Sequence, residues 1–205
     1  MNSGDILKKV QQHEPSVLGN ERFSKSSVLL PLIRKDDDIY ILFEVRSHQL
    51  KRQPGEICFP GGRIDQTDDS EQAAAIRETT EELGIGESEI KDVYPLDYMV
   101  SPFGMIVYAH AGWIDSLDNL NPNPEEVEEI FMVPLTFFME NEPDVYHVDV
   151  KVKPEAGFPF ELITGGKNYK WRTSKIDEYF YVYDQKVIWG LTAKILSHFI
   201  ELIRR

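Results

Sequence analysis

The stretch Gly61–Ile85, GGRIDQTDDSEQAAAIRETTEELGI, admits few folds. It predicts a helix from about Ser70 to Leu83. Asp69 or Ser70 supplies a cap, and Gly84 stands where a helix ends on a left-handed residue. On a wheel of about 100° per residue, Ala73, Ile76, Thr80 and Leu83 fall on one side and Glu78, Glu81 and Glu82 on the other. The first face needs a sheet to cover it. The second gathers three carboxylates in the last two turns, where each like pair at i,i+3 or i,i+4 costs about 0.2–0.5 kcal/mol and the helix dipole adds to the penalty. A solvated acidic face is one reading. The other is a divalent cation held by the three, which offsets both penalties; carboxylates with waters and phosphates suit Mg²⁺ or Mn²⁺. Pro60-Gly61-Gly62 before the helix lets a ligand approach the backbone closely. Arg77 can orient a carboxylate through a two-point contact or make an ordinary surface ion pair.

Around this helix the pattern alternates irregularly. Asp5–His13 predicts a helix. Ser27–Ile33 and Ile39–Arg46 predict strands joined by a turn at Asp36-Asp37-Asp38, with Pro31 favouring an edge or a bulge. Glu56–Phe59 predicts a short strand closed by Pro60-Gly61-Gly62. Further strands are predicted at Val93–Val100, Met105–Ile114, within IFMVPL and at Tyr179–Tyr183, and a last helix at Val187–Ile203. Strands and helices mix without regular alternation, so the class is α+β. Residues 1–26 read as a helical appendage and 27–205 as one domain.

The charge of −13 argues against a nucleic-acid or anionic-membrane partner. The single cysteine, Cys58, excludes an internal disulfide, fits a reducing, cytoplasmic location, and reads as a buried small hydrophobe. No apolar run suits a secretory leader or a membrane span. Arg46, Lys51 and Arg52, just before the glycine pair, can reverse the field locally for a ligand with several phosphates.

The core Arg77-Glu78-Thr79-Thr80-Glu81-Glu82-Leu83-Gly84-Ile85 resembles the Nudix box, R-E-U-x-E-E-x-G-U with U bulky and apolar. Thr79 departs from it, and the spacing is one residue longer: Asp68 fits the count from the glycine and Asp69 the count to the arginine. Coenzyme A diphosphatases, a branch of that family, resemble this chain in the lengthening. Their upstream signature, L-L-T-x-R-S-x3-R-x3-G-x3-F-P-G-G, is similar to the run from Leu42 through Arg46, Ser47, Lys51 and Gly55 to Phe59-Pro60-Gly61-Gly62, with Phe43, Glu44 and Lys51 departing. Glu126–Leu135 and Ile188-Trp189-Gly190-Leu191-Thr192-Ala193 resemble two later stretches of the branch.

The resemblance implies an α/β/α sandwich with a mixed sheet and metal-assisted attack of water on a diphosphate. It implies Glu78 and Glu82 as metal ligands, Glu81 as ligand or water base, and Arg77 and Glu78 in the catalytic set. Arg46, Lys51, Arg52, Gly55, Gly61 and Gly62 would meet the substrate, and Glu126 or Glu129 would supply a further acid. The implied substrate is coenzyme A or an acyl derivative. ADP-ribose or another nucleoside diphosphate derivative, a non-catalytic Nudix-like binding module, and a metal-free acidic helix remain alternatives, and a homodimer is left open. The aromatics Trp171, Tyr179, Phe180 and Tyr181 read as core, with an adenine or pantetheine pocket as the other option.

Overall fold

The computed structural model describes residues 2–205. Its main sheet is built on a hairpin that comes apart. β1 (Ser24–Lys35) turns into β2 (Asp38–Arg46) through Asp36 and Asp37, both at positive φ (51° and 66°). Such two-residue turns match the twist of the flanking strands. The strands pair only from Lys35↔Asp38 to Leu32↔Ile41. Pro31 comes next and has no N–H to give. Leu29, whose N–H points to the same side, donates instead to the Pro60 carbonyl at 2.9 Å. The gap is filled by β3 (Ile57–Cys58) against β2 and β4 (Gly61–Arg63) against β1. Pro31 is therefore not at an edge: it lies within a strand paired on both sides, and its missing donor falls where the hairpin parts. The expectation that Pro60-Gly61-Gly62 closes the strand is also corrected, since Gly61 and Gly62 begin β4.

On its other side β1 runs parallel to β7 (Met105–Ile114), which carries β5 (Ile90–Pro95) and β6 (Met99–Ser101) antiparallel. β8 (Val127–Pro134) closes the far side of β2. α2 (Glu71–Leu83) covers one face of this mixed sheet, where Leu29, Leu42, Ala75, Leu83 and Ile114 form a core. α3 (Leu135–Glu140), α4 (Gly190–Ile203) and a second sheet cover the other, around Phe43, Phe138, Tyr181 and Leu196. The class is α+β, as the pattern predicts.

The second sheet holds β9 (Asp144–Val150), β10 (Ser174–Tyr183) and β11 (Lys186–Trp189), in the order β11-β10-β9. The sequence reading has no strand at β9, because all but its last residue are exposed and its polar residues mask the pattern. The last helix starts at Gly190 rather than Val187. Gly190, at φ 63°, takes a conformation that breaks the helical run, and Val187–Trp189 pair with β10. α1 (Ser3–Gln11) is capped by Asn2, whose side chain accepts from Asp5 N while Asp5 accepts from Asn2 N. Among the described residues no helix is long and apolar enough to cross a membrane.

Candidate active site

The parted hairpin leaves the Gly61 N–H facing α2, where it donates to Glu82 Oε2 at 2.7 Å. Gly61 sits at φ 151° with the Ser27 carbonyl 2.4 Å from where a Cβ would stand, so only glycine fits. This contact turns α2 from the predicted phase. Ala74, Ala75, Thr79, Glu82 and Leu83 are buried, whereas Ala73, Ile76 and Thr80 are only partly so. Thr79 tolerates the core by donating its hydroxyl to the Ala75 carbonyl at 2.7 Å. The three glutamates still lie within one arc of the helix, but burial is graded across it: Glu82 is inside, Glu78 half-buried and Glu81 outside.

Glu44 joins Glu82 from β2. It is fully buried; Oε1 accepts from Cys58 Sγ at 3.1 Å and Oε2 has no partner. Burial, and then the Glu44 charge, push Glu82 well above the usual carboxylate range, against the Gly61 bond. Burial likewise raises Glu44 despite its bond from Cys58 and the charge of Arg46. Burial and the adjacent carboxylate raise the Cys58 thiol, so it acts as a donor and not as a thiolate nucleophile. Cys58 is half-buried rather than a plain core hydrophobe.

Arg77 gathers the remaining acids. Its Nε and Nη2 donate to the two oxygens of Asp68 at 2.9 and 3.0 Å, and Nη2 also reaches the Arg63 carbonyl at 3.1 Å. Nη1 lies 3.0 Å from Glu78 Oε1 and 3.3 Å from Glu81 Oε2. Arg77 holds the Asp68 carboxyl below its usual range, while burial outweighs Arg77 at Glu78 and raises it. Gly62 carries Glu78 against its backbone, for a Cβ there would stand 2.5 Å from the carboxylate.

The two candidate acids part at the start of β8, Glu126 just before it and Glu129 within it. Glu129 pairs opposite Val45, on the face away from Glu44, and bonds Lys186. Glu126 is half-buried, and its charge acts on Glu44, Glu78 and Glu82. Its carbonyl accepts from Ser47 N at 2.8 Å. Of the basic residues, Arg46 is half-buried with Nε unpartnered. Lys51 and Arg52 are exposed, and neither is in an ion pair among the described residues. Gly55, at φ 74°, donates to the Arg46 carbonyl at 2.9 Å and leaves room for the His48 ring.

Glu44 is the residue that sequence reasoning missed. Its signal is an acid in the middle of the apolar strand Leu42-Phe43-Glu44-Val45, where a charge has no reason to be unless something answers it. Neither Glu44, Glu82 nor Glu126 is in an ion pair among the described residues. Their oxygens and the unpartnered Glu44 Oε2 fit a hard divalent cation in donor chemistry. As the side chains stand, no group of three acids, histidines or cysteines among the described residues is arranged to hold one. Gly61 N–H engages Glu82 and Arg77 engages Glu78.

A family model described as the NUDIX domain matches residues 24–156. The mouse "Peroxisomal coenzyme A diphosphatase NUDT7" is 40% identical over 124 residues, 60% of this chain and 52% of the mouse protein, so the match spans about half of that relative. The "Uncharacterized Nudix hydrolase NudL" of Photorhabdus laumondii is 31% identical over 179 residues, 87% of this chain and 84% of that one. Among solved structures, a MutT/nudix family protein from Enterococcus faecalis superposes with a TM-score of 0.52 at 15% identity, covering 100% of this chain and 71% of that one, and shares the fold.

Proposed function

The chain belongs to the NUDIX domain family of hydrolases, and from that premise we propose that it hydrolyses the diphosphate bond of coenzyme A or acyl-coenzyme A. The products are 3′-phosphoadenosine 5′-phosphate and an (acyl-)4′-phosphopantetheine. The observation that carries this reading is the cluster of carboxylates Glu44, Glu82 and half-buried Glu78, each raised chiefly by burial, with Glu82 and Glu78 seated on the Gly61-Gly62 backbone. The mouse relative named as a coenzyme A diphosphatase supports the substrate. So do the in-register residues from Arg46 to Gly62.

Glu82 and Glu78 would hold a Mg²⁺ or Mn²⁺ ion, with Glu44 and Glu126 adding negative charge around it. Such an ion neutralises phosphate charge and acidifies bound water. Arg77 positions Glu78 and Asp68. Glu81, more than half exposed at 57%, has the freedom to accept the water's proton. Gly61 and Gly62, expected to meet the substrate themselves, instead seat the Glu82 and Glu78 carboxylates, and Arg46, Lys51 and Arg52 would meet the phosphates of an otherwise repelled anion. The appendage to this domain ends before Ser24, where β1 begins, rather than at residue 26.

The test is product analysis on coenzyme A with Mg²⁺ or Mn²⁺. Wild type should release 3′-phosphoadenosine 5′-phosphate, and Glu82→Gln should lose at least about 100-fold in kcat/KM, roughly 2.7 kcal/mol. Equal turnover of 3′-dephospho-coenzyme A and ADP-ribose would remove the preference for coenzyme A. Absence of turnover on any diphosphate would remove the catalytic reading of this site.

A further inference from the structure

The stretch Ile188–Ala193 has a structural duty at every position but one. Ile188 and Ala193 are fully buried, and Leu191 packs on the same core. Gly190 makes the left-handed turn into α4. The Thr192 hydroxyl donates to the Ile57 carbonyl at 3.1 Å and ties α4 to β3. Trp189 alone has its side chain out, 40% exposed. Its ring lies nearly parallel to Phe180, with centroids 5.8 Å apart and planes at 13°. Tyr146 braces Phe180 edge-on at 5.5 Å. An indole left in water on a braced aromatic partner is a ready platform.

That platform is one wall of a cleft of about 420 Å³. Val45, Pro54, Gly55 and Ile57, next to the cation-bearing loop, line it as well, and Glu56, Gln185 and Lys186 are its polar residues. Ile57 and Cys58 are the whole of β3, and their side chains point to opposite faces. The cleft and the carboxylates therefore flank the same two-residue strand, with the parted hairpin beside it.

We propose that this cleft is the subsite for the purine base of the substrate's nucleotide half, with Trp189 as the stacking face and Phe180 as its support. An exposed indole stacked on a braced aromatic offers a flat face to a base, and Glu56, Gln185 and Lys186 among the lining residues offer groups to a purine edge. The inference rests on the nucleotide reading above but not on turnover.

Calorimetry with 3′-phosphoadenosine 5′-phosphate, adenosine monophosphate and 4′-phosphopantetheine tests it on wild type, Trp189→Leu and Trp189→Phe. Trp189→Leu should weaken both nucleotides about tenfold or more and leave 4′-phosphopantetheine within about twofold, while Trp189→Phe recovers most of the nucleotide affinity. Unchanged nucleotide affinity in a folded Trp189→Leu protein would overturn the proposal. So would a loss that falls on 4′-phosphopantetheine instead. If coenzyme A is not hydrolysed, the reading of the reaction fails, whereas adenosine monophosphate binding still decides the subsite.

Discussion

Gly61 and Gly62 are adjacent, yet the structure asks different things of them. A Cβ on Gly61 would stand 2.4 Å from the Ser27 carbonyl and 2.6 Å from Val28 Cα, at a φ that side chains rarely adopt. The obstacle is backbone and cannot step aside. A Cβ on Gly62 would first meet the end of the Glu78 side chain. That carboxylate can swing away, but it then leaves the place where Arg77 holds it. Gly61→Ala should therefore destabilise the fold by about 2–4 kcal/mol, read as a lower midpoint in denaturant. Gly62→Ala should cost under about 1 kcal/mol of stability and yet lower kcat/KM at least tenfold, about 1.4 kcal/mol. Equal effects of both variants on stability would contradict this division. The sequence shows a glycine pair; it cannot show that one member yields to backbone and the other to a carboxylate.

At the scale of the element, α2 is well announced by its ends. Ser70 Oγ accepts from Ala73 N at 3.1 Å, and Gly84 closes the helix at φ 64°, both as the local residues predict. Its rotation about its own axis is less legible, because alanine and threonine on either side of the stripe fit both phases. The choice is made by Gly61 reaching for Glu82, a contact across 21 positions of sequence. The C-terminal end also has a tertiary role. Asn121 N donates to the Leu83 carbonyl and Asn123 N to the Glu82 carbonyl, at 3.0 and 2.9 Å, so the loop leading to Glu126 is fastened to the last turn. A Cβ on Gly84 would stand 2.0 Å from the Asn121 carbonyl. Ser70→Ala should lose about 1 kcal/mol in thermal denaturation with kinetics near wild type, the usual worth of an N-cap. Gly84→Ala should lose more than that and should also reduce turnover, because it pushes away the loop that presents Glu126. A Gly84→Ala protein with full activity would show that the loop's seat does not matter to the reaction.

Across the whole molecule, the parallel pair of β1 and β7 is the seam on which both layers pack, and His110 lies in it. These two strands are legible from their apolar runs. Their arrangement is not, because the parting at Pro31 and the insertion of β3 and β4 depend on which neighbour each N–H faces. His110 is 4% exposed, with Nδ1 3.3 Å from Ser27 Oγ, and it sits opposite Leu29. Burial holds its pKa below the ordinary value of 6.5, although Glu71 and a bond to the Val28 backbone pull the other way. The unfolded chain takes up a proton on this residue as the pH falls through about 6.5, and the folded chain resists it. Stability should then fall with acidification from that point down to the folded pKa, by up to about 1.4 kcal/mol per pH unit. Glu44 and Glu82 act in the opposite sense, since carboxylates raised on folding favour the folded state as the pH falls toward their ordinary range. The two contributions separate in a comparison of variants. Denaturant midpoints measured from pH 7.5 to 5 should show His110→Gln losing less stability than wild type over the interval below 6.5, with the two curves parallel above it. Parallel curves throughout would mean that His110 takes up its proton as readily in the folded seam as in the unfolded chain.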